Sequence, residues 1–398
     1  MLKEQDRFYN FETEILRRGG HVRSLATNPE TLPIYLTTAF NVEDLDDLQE
    51  RYKVRGFCYN RSRNPNRTAL MELITYLEGG EESIACSSGM GAIATTIVAL
   101  TASGDHLLVD DTLYGETFEI LEKICTKYNV EYTIVDFNDL EQVKSGIRPN
   151  TKMLYCETIA NPTCTVVNIP ELSRIAHENN ALLVIDNTFA TPVLCRPLDL
   201  GADIVINSLT KFASGHSDIT AGTATGSGEL MKTLQSYLSI MGATCDPITS
   251  WMAERGMRTM DLRLKKANET AKKLAAALDA SPYVRKVNHP SLPDHPDHAL
   301  AKSQFMHGGY GAMMSIVLDE DRGKMNAFLH RLDLVHYAMT LGGLRTTVAH
   351  PVSSSHEDMP EEDRLKIGIT NGMIRISVGL EDPDDLIQDF LQALEVYA

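Results

Sequence analysis

Lys211 is the residue of this sequence whose neighbours point most clearly to a chemical role. It stands in the stretch INSLTKF at residues 206–212, and Asp186 ends an apolar run 25 positions upstream. Pyridoxal phosphate (PLP) needs such a pair, because a lysine holds its aldehyde as an imine and an acid keeps its pyridine nitrogen protonated. The hydroxyls of Ser208 and Thr210 precede the lysine and could donate to the phosphate. The pattern therefore predicts PLP chemistry.

Burial favours this interpretation of Lys211. A lysine just past a buried strand loses hydration, which lowers the pKa of its amine toward a reactive form, and imine formation removes the cost of burying the charge. Asp186 alone could equally cap a helix or form a turn, and Ser208 and Thr210 could satisfy the backbone of their own strand end. The pairing of the acid with the lysine favours the cofactor.

Two strand-to-helix loops could complete the site. Residues 87–92 (SSGMGA) precede an apolar helix, and small residues at a helix start expose N–H groups that suit a phosphate, although the same letters also form an ordinary helix cap. Tyr114 follows a second such loop. Its ring could stack on the pyridine and its phenol could exchange a proton near the substrate's far end, or the side chain could be purely structural.

Alternating helix and strand patterns must position these residues. Helices are predicted at 68–78, where Gly79 and Gly80 end the pattern, and at 117–128 and 170–179. Short apolar strands are predicted at 106–109, 131–135, 153–156, 181–185 and 203–206. The alternation predicts an α/β fold with a large, mostly parallel sheet and a ligand site at the carboxyl ends of its strands.

The sequence changes character after about residue 250. A helix is predicted at 268–278, strands at 311–318 and 373–378, and a closing helix at 383–397. These elements predict a smaller α+β domain. The predicted organisation is an irregular N-terminal arm at 1–60, a PLP-binding α/β domain at 61–250 and a C-terminal α+β domain at 251–398.

Composition excludes several classes of function. The 398 residues carry a formal net charge of −17, which argues against binding to nucleic acid or to an anionic membrane. No apolar run approaches the roughly 20 residues that span a bilayer, and residues 1–7 lack the apolar core of a secretory signal. The seven cysteines are scattered without a CxxC pair, so we expect reduced thiols in the cytoplasm. The spacing in residues 294–298 (DHPDH) fits no zinc site, and no metal is predicted.

Several motifs stand in order along nearly the whole chain: YNRSRNP at 59–65, SSGM at 87–90, ETIANPT at 157–163, DNT at 186–188, SLTKFASGHSD at 208–218, TLGG at 340–343 and MIRISVGLE at 373–381. With these motifs the chain resembles the Cys/Met-metabolism PLP enzymes, which include methionine γ-lyase, cystathionine γ- and β-lyases and the γ-synthases. No GxGxxG follows a predicted strand, which argues against a nucleotide-binding oxidoreductase.

The resemblance implies a PLP-dependent transferase fold of type I and a homotetramer of catalytic dimers. It implies that Lys211 carries the cofactor, Asp186 pairs with its ring nitrogen and Tyr114 stacks on the ring. Further roles follow from the same matches: phosphate binding by Gly89, Met90, Ser208 and Thr210, phosphate binding across the subunit interface by Tyr59 and Arg61, a place beside the ring hydroxyl for Asn161, and binding of the substrate carboxylate by Arg375 with help from Thr340.

The implied reaction is γ-elimination on an amino acid such as methionine, homocysteine or cystathionine, with γ-replacement or cystathionine β-elimination as alternatives. Glu116 and Arg345 depart from the family pattern, in which methionine γ-lyases usually have Cys at the place of Glu116. A carboxylate there favours a polar or cationic γ-substituent, for instance the guanidinooxy group of canavanine. Alternatively, Glu116 and Arg345 pair with each other or face solvent. Cys58, where some relatives carry an acid, weakens cystathionine as a substrate or simply packs at an interface.

Overall fold

The structure is a computed structural model, and it describes residues 9–18, 29–357 and 359–398. Residues 1–7, for which no secretory signal is predicted, lie outside the described residues, as does part of the predicted N-terminal arm. Within the described part, no helix combines the length and the apolar character needed to cross a membrane.

A seven-stranded sheet forms the centre of the molecule, in the order β1-β7-β6-β5-β4-β2-β3. Its strands are β1 (Glu82–Cys86), β2 (His106–Asp110), β3 (Glu131–Val135), β4 (Thr151–Glu157), β5 (Leu182–Asp186), β6 (Ile204–Ser208) and β7 (Gly222–Gly226). β7 runs antiparallel to both of its neighbours, β1 and β6, and the other pairings are parallel. The predicted α/β class with a mostly parallel sheet is therefore confirmed.

Fifteen α-helices are found in the described residues: α1 (Phe11–Arg17), α2 (Leu45–Lys53), α3 (Pro65–Glu78), α4 (Gly89–Leu100), α5 (Gly115–Ile120), α6 (Leu140–Gly146), α7 (Ile169–Glu178), α8 (Thr191–Leu194), α9 (Gly228–Met241), α10 (Pro247–Met257), α11 (Met260–Asp279), α12 (His298–Gln304), α13 (Arg322–Arg331), α14 (Glu361–Lys366) and α15 (Pro383–Leu394). Local signals explain the ends of α3. Asn64 accepts a hydrogen bond from the N–H of Asn66, Pro65 opens the helix, and Gly79 ends it at φ +77°.

Two hydrophobic clusters flank the large sheet. One includes Leu73 and Ile74 of α3 with Leu172 of α7, and the other includes Ile93 of α4 with Leu234 of α9. Helices on both faces bury strands such as β5 and β6, whose middle residues are inaccessible to solvent. The sheet is consequently a rigid support, and the strand ends are left to carry function.

A second sheet follows in the C-terminal part, in the order β10-β11-β12-β9-β8. Its strands are β8 (Lys286–Asn288), β9 (Met313–Val317), β10 (His336–Tyr337), β11 (Thr347–Ala349) and β12 (Met373–Ser377). β12 lies antiparallel between β9 and β11, and a hydrophobic cluster joins this sheet to α11, α13 and α15. The α+β character predicted after residue 250 is confirmed, whereas the boundaries of the three predicted regions remain a prediction.

Several elements differ from the sequence prediction. β1 and β7 were not predicted, and β7 (GTATG) is fully buried although glycine and threonine dominate it. The helix predicted at 117–128 is α-helical only from Gly115 to Ile120 and continues as a π-helical turn (Leu121–Cys125) and a 3₁₀ turn (Thr126–Tyr128). Helices α1 and α2 interrupt the predicted irregular arm.

Candidate active site

The carboxyl ends of β4, β5 and β6 bring three polar residues to one edge of the sheet. β4 ends at Glu157, β5 at Asp186 and β6 at Ser208. Glu157 and Asp186 are direct partners in the parallel register. Lys211 follows in the turn after β6, so this edge collects the lysine, the acid and a hydroxyl that the sequence predicted to act together.

A cavity of about 320 Å³, called here the inner cavity, opens at this edge. Its lining includes most of the predicted site residues: Gly89, Met90, Tyr114, Glu116, Asn161, Asp186, Ser208, Thr210, Lys211 and Arg375. Thr340 does not line it and contacts Arg375 through its backbone carbonyl. Tyr59 and Arg61 also lie outside the lining.

Lys211 is held as a reactive amine. Burial is the main cause that lowers its pKa, and the charge of Arg375 lowers it further, while Glu116 opposes the shift. Within the described residues, no carboxylate lies within ion-pair distance of its Nζ atom. The amine therefore remains accessible to an electrophile such as an aldehyde.

Asp186 is a half-buried carboxylate in the wall of the inner cavity, and no cation pairs with it among the described residues. It accepts a hydrogen bond of 2.9 Å from the N–H of Thr188, and burial raises its pKa. Glu157 lies beside it, and burial together with the charge of Asp186 raises the pKa of Glu157 well above its usual range. A protonated ring nitrogen facing Asp186 would supply the missing positive charge.

The start of α4 forms a cradle that can hold an anion. Ser88 caps the helix by accepting a hydrogen bond from the N–H of Gly91, which leaves Gly89 and Met90 at the helix start. A Cβ atom added to Gly89 would lie 2.8 Å from the Cβ of Ser208, and one added to Gly222 would clash with the carbonyl of Ser88. The start of α4 and the end of β6 therefore lie so close together that any residue larger than glycine at position 89 would clash.

The two predicted hydroxyls differ in their surroundings. The N–H of Ser208 donates to the Thr188 hydroxyl at 2.8 Å. The hydroxyl of Thr210 donates to the carbonyl of Ala221 at 3.3 Å and accepts from the N–H of the same residue at 3.1 Å. The Thr210 hydroxyl thus bonds the backbone of Ala221, and Thr210 also lines the inner cavity.

Arg375 is a buried cation at the opposite wall. Its guanidinium donates to Asn161 Oδ1 at 3.2 Å and to the carbonyl of Thr340 at 3.4 Å. The side chain is 6% exposed, and burial lowers its pKa to about 10. No carboxylate pairs with it among the described residues, so it is poised to bind the carboxylate of a ligand with its planar fork.

Tyr114 and Glu116 stand at the mouth of the inner cavity. The backbone N–H of Tyr114 donates to Glu157 Oε1 at 2.6 Å, which fixes the loop before α5. Burial raises the pKa of the Tyr114 phenol, and the neighbouring Glu116 carboxylate raises it further. Arg345 is exposed and contacts the ring of His336, and no ion pair joins it to Glu116 among the described residues.

Tyr59 and Arg61 lie together on the surface. The guanidinium carbon of Arg61 is 5.6 Å from the centre of the Tyr59 ring, and its Nη1 atom donates to the carbonyl of Ser239 at 2.5 Å. Tyr59 is 45% exposed. A single chain therefore leaves both residues available on the surface, outside its own inner cavity.

Buried residues that were not predicted from the sequence support this edge of the sheet. Glu78 is fully buried and accepts hydrogen bonds from Asn187 at 3.2 Å and from Asn207 at 2.7 Å. It thereby links the residue after Asp186 to the residue before Ser208. Glu157 could have been recognised from its place at the end of a predicted strand, but Ser354 and Ser355, which also line the inner cavity, carried no local signal.

The donor set fits PLP. The inner cavity offers a lysine with a lowered pKa, a half-buried acid that no cation pairs among the described residues, a helix start for a phosphate and a buried arginine for a substrate carboxylate. Its volume lies in the range of small-molecule sites. The three charge requirements of a PLP–amino acid complex are thus matched by groups that lack counter-charges in the protein.

Comparison with known proteins gives consistent matches. The sequence model of one family, described as "Cys/Met metabolism PLP-dependent enzyme", matches residues 12–395. The cystathionine β-lyase MetC of Bacillus subtilis is 40% identical over 373 residues, covering 94% of this chain and 93% of that protein. An L-methionine γ-lyase of Fusobacterium nucleatum subsp. polymorphum is 38% identical over 369 residues, covering 92% of this chain and 93% of that protein.

Solved structures show the same fold over the whole length. A crystal structure of cystathionine γ-synthase from Xanthomonas oryzae pv. oryzae, in complex with aminoacrylate and cysteine, superposes with a TM-score of 0.93 at 33% sequence identity. The match covers 98% of this chain and 99% of that one. The similar proteins therefore carry β-lyase, γ-lyase and γ-synthase names.

Proposed function

This chain belongs to the Cys/Met metabolism PLP-dependent enzymes, and from that membership we propose that it eliminates the γ-substituent of an amino acid, with a preference for polar or cationic substituents. It is a PLP-dependent enzyme of amino-acid metabolism with the type I fold, in a family of carbon–sulfur lyases. The observation that supports the finer proposal is the carboxylate of Glu116 at the mouth of the inner cavity, beside Tyr114.

The cofactor would bind at the carboxyl ends of the strands of the large sheet. Lys211 would carry its aldehyde carbon and Asp186 would face its ring nitrogen, with Tyr114 stacked on the ring and Asn161 beside the ring hydroxyl. The N–H groups of Gly89 and Met90, with Ser208 and Thr210, would hold the phosphate. When bound, PLP supplies an electron sink that stabilises negative charge developing at the substrate's α- and β-carbons.

Protein side chains would move the protons. Arg375, positioned by its hydrogen bond to the Thr340 carbonyl, orients the substrate carboxylate, which presents the Cα–H bond to Lys211. The amine of Lys211 takes this proton because burial lowers its pKa and leaves it uncharged more readily. The phenol of Tyr114 stays protonated, since burial and Glu116 raise its pKa, and can therefore donate a proton to the leaving group.

The overall reaction consumes one water. The bond between Cγ and its sulfur or oxygen breaks, the leaving group departs with a proton, and hydrolysis of the remaining four-carbon enamine gives 2-oxobutyrate and ammonia. Canavanine would release hydroxyguanidine, and methionine would release methanethiol. A carboxylate beside the leaving group favours a cationic or hydrogen-bonding substituent and disfavours an apolar thioether.

Product analysis tests this proposal. The enzyme reconstituted with PLP is supplied with methionine, homocysteine, cystathionine, O-acetylhomoserine and canavanine, and 2-oxobutyrate and each leaving group are quantified. We expect kcat/KM to be highest for the cationic substrate in the native protein and to shift toward methionine in Glu116→Cys. An unchanged order of preference in Glu116→Cys would refute the role of Glu116.

The same assay separates the alternative reactions. γ-Elimination of cystathionine yields 2-oxobutyrate and cysteine, whereas β-elimination yields pyruvate and homocysteine. γ-Replacement is detected by adding sulfide to O-acetylhomoserine, when homocysteine forms faster than 2-oxobutyrate. The experiment includes these alternatives because the similar proteins are named as a β-lyase, a γ-lyase and a γ-synthase.

We further propose a homotetramer of catalytic dimers located in the cytoplasm. Apolar side chains such as Ile240 and Leu262 are 79% and 70% exposed, which favours their burial between subunits. In this arrangement Tyr59 and Arg61 would reach the phosphate of the neighbouring subunit. The seven free cysteines support a reducing compartment. Light scattering tests the tetramer, and loss of PLP affinity in Arg61→Ala tests the shared site.

A further inference from the structure

A second cavity, called here the outer cavity, adjoins the inner one. It has a volume of about 580 Å³. Tyr114, Glu116, Ser354 and Ser355 line both cavities. A molecule held by Arg375 in the inner cavity can therefore extend past Tyr114 and Glu116 into the outer one, which gives the outer cavity access to the distal part of a substrate.

One wall of the outer cavity is a row of carboxylates. Glu116, Glu119 and Glu122 recur at every third residue along α5 and the π-helical turn that continues it. At a rise of about 1.5 Å per residue, Glu122 lies roughly 9 Å along the helix axis from Glu116. Lys123 pairs with Glu119 at 2.5 Å, whereas no ion pair joins Glu116 or Glu122 to a cation among the described residues. The row thus offers its uncompensated negative charge at both of its ends.

Further acids surround the same space. Asp111 and Asp136 line it at the end of the large sheet, where their carboxylates approach each other within 4.8 Å. Glu357 and Asp363 line it from the other side. Lys366 is the one lysine or arginine among the described lining residues, and its Nζ atom bonds Asp363 at 3.0 Å. The cavity therefore has a strongly negative potential that attracts a cation.

His356 provides an independent sign of a ligand. It lines the outer cavity, it is 2% exposed, and its Nε2 atom has no hydrogen-bond partner among the described residues. Its Nδ1 atom bonds the hydroxyl of Ser355 at 2.9 Å. Burial, with the charges of Arg375 and Arg364, lowers its pKa to about 4, so the ring is neutral near pH 7 and one ring nitrogen can accept a hydrogen bond. In the tautomer whose Nδ1–H donates to the Ser355 hydroxyl, Nε2 is the acceptor and a ligand N–H group would satisfy it.

Apolar side chains complete the lining. Phe118, Tyr132 and Ile367 contribute to it alongside the acids. A methylene chain would pack against these groups while its charged end meets the carboxylates, and an aromatic face adds attraction for a cation. The lining consequently suits a long substituent with an apolar stem and a cationic end.

We propose that the outer cavity binds the cationic end of an extended γ-substituent. The preferred substrates would then be γ-substituted amino acids that carry an amine or a guanidine several bonds beyond the γ-atom. This inference rests on the proposed γ-elimination and extends the role of Glu116 to a row of carboxylates. It distinguishes long cationic substrates from short ones such as methionine.

Matched pairs of substrates test the proposal. S-(ω-aminoalkyl)homocysteines with two to five methylene groups are compared with S-alkylhomocysteines of equal length, and thiol and 2-oxobutyrate release are measured. We expect kcat/KM to favour the amine over the uncharged partner by about tenfold in the longer members, because each ion pair in partly exposed surroundings contributes about a two- to fivefold effect. Equal values at every length would overturn the proposal.

Charge removal locates the effect. In Glu119→Gln/Glu122→Gln the KM of the longest amine should rise by about tenfold, with a change below about twofold for its uncharged partner. Glu178→Gln is the matched control, because Glu178 is an exposed glutamate that bonds Arg174 outside both cavities. If the double variant weakens both members of a pair alike, or no more than the control does, the row of carboxylates does not bind the cation.

Calorimetry separates failure of this inference from failure of the proposed function. Titration of the PLP-loaded enzyme with each amine and alkyl pair measures the charge preference even if no substrate is cleaved. Tighter binding of the amines without turnover would support the outer cavity and contradict γ-elimination. Turnover of methionine or canavanine with no charge preference in binding would contradict the outer cavity and leave γ-elimination standing.

Discussion

Arg375→Lys should weaken recognition of the substrate carboxylate while it leaves the cofactor site intact. The guanidinium spans Asn161 Oδ1 and the carbonyl of Thr340, and no carboxylate of the described residues neutralises it. A substrate carboxylate would therefore form a bidentate, charge-assisted pair with it. Lysine keeps the charge but has a single donor group on a flexible stem, so it cannot bridge both neighbours and bind both carboxylate oxygens.

The expected magnitude follows from the loss of one charge-assisted hydrogen bond. Such a bond contributes about 1.5–3 kcal/mol, which corresponds to a rise in KM of roughly 10- to 150-fold. The measurement is KM and kcat for methionine in both proteins, together with the inhibition constant of 3-(methylthio)propylamine, which lacks the carboxylate. The variant should bind methionine more weakly but 3-(methylthio)propylamine as tightly as the native enzyme does. The visible absorbance of bound PLP should stay the same.

Two results would refute this reasoning. A KM for methionine within about threefold of the native value would mean that Arg375 does not bind the carboxylate. An equal loss of affinity for the carboxylate-free amine would mean that the substitution disturbs the cavity as a whole. Arg375→Ala extends the series, because it removes the charge as well as the fork and should be weaker still.

Three further predictions concern the cofactor and the buried acids. Lys211→Ala should lose the yellow colour that borohydride bleaches in the native enzyme, because the imine nitrogen is gone; a retained, bleachable absorbance would contradict its role. Gly89→Ala should weaken PLP binding about tenfold or more, since the new Cβ would lie 2.8 Å from Ser208. Gly228→Ala is the control in the same titration, because Gly228 also starts a helix and its new Cβ would meet no atom nearer than 3.6 Å. Burial raises the pKa of Glu78 from 4.5 to about 7, so between these pH values the folded protein holds a proton that the unfolded chain releases. The contribution of Glu78 to the free energy of unfolding therefore falls by about 3 kcal/mol as pH rises from 4.5 through 7. Glu78→Gln should remove that fall, which urea unfolding of both proteins at pH 5 and pH 8 measures; a difference between them that is constant with pH contradicts the assignment.

The approach of Arg375 to Lys211 shows what lies beyond sequence reasoning from local patterns. The two residues are far apart in the chain, and β12 belongs to a different sheet from β6, so no periodicity relates them. The family motifs identified Arg375, but the sequence did not reveal that its partners are Asn161 and the carbonyl of Thr340. These contacts arise only when the two sheets pack.

The neighbouring acids Glu157 and Asp186 make the same point within one sheet. Each ends a strand that the sequence predicted, but whether β4 and β5 are adjacent depends on the order of strands, which crossover connections set. Glu78 and its two asparagines stayed unnoticed because a buried glutamate on a helix has no local signal. The π-helical turn after α5 was likewise not expected, although it carries Glu122 into the outer cavity.

The sequence by itself determined the chemistry and the class of fold. An acid at one strand end, a lysine past another and an alternation of helices and strands are encoded by near neighbours, and local physics interprets them directly. Tertiary structure alone decided the strand order and the insertion of β7 between β1 and β6. It also decided that Arg375, without a carboxylate partner among the described residues, lies near Lys211, and that the acidic outer cavity lies beyond Glu116. These depend on contacts between residues distant in the chain, whose proximity is fixed by packing rather than by the pattern of any one segment.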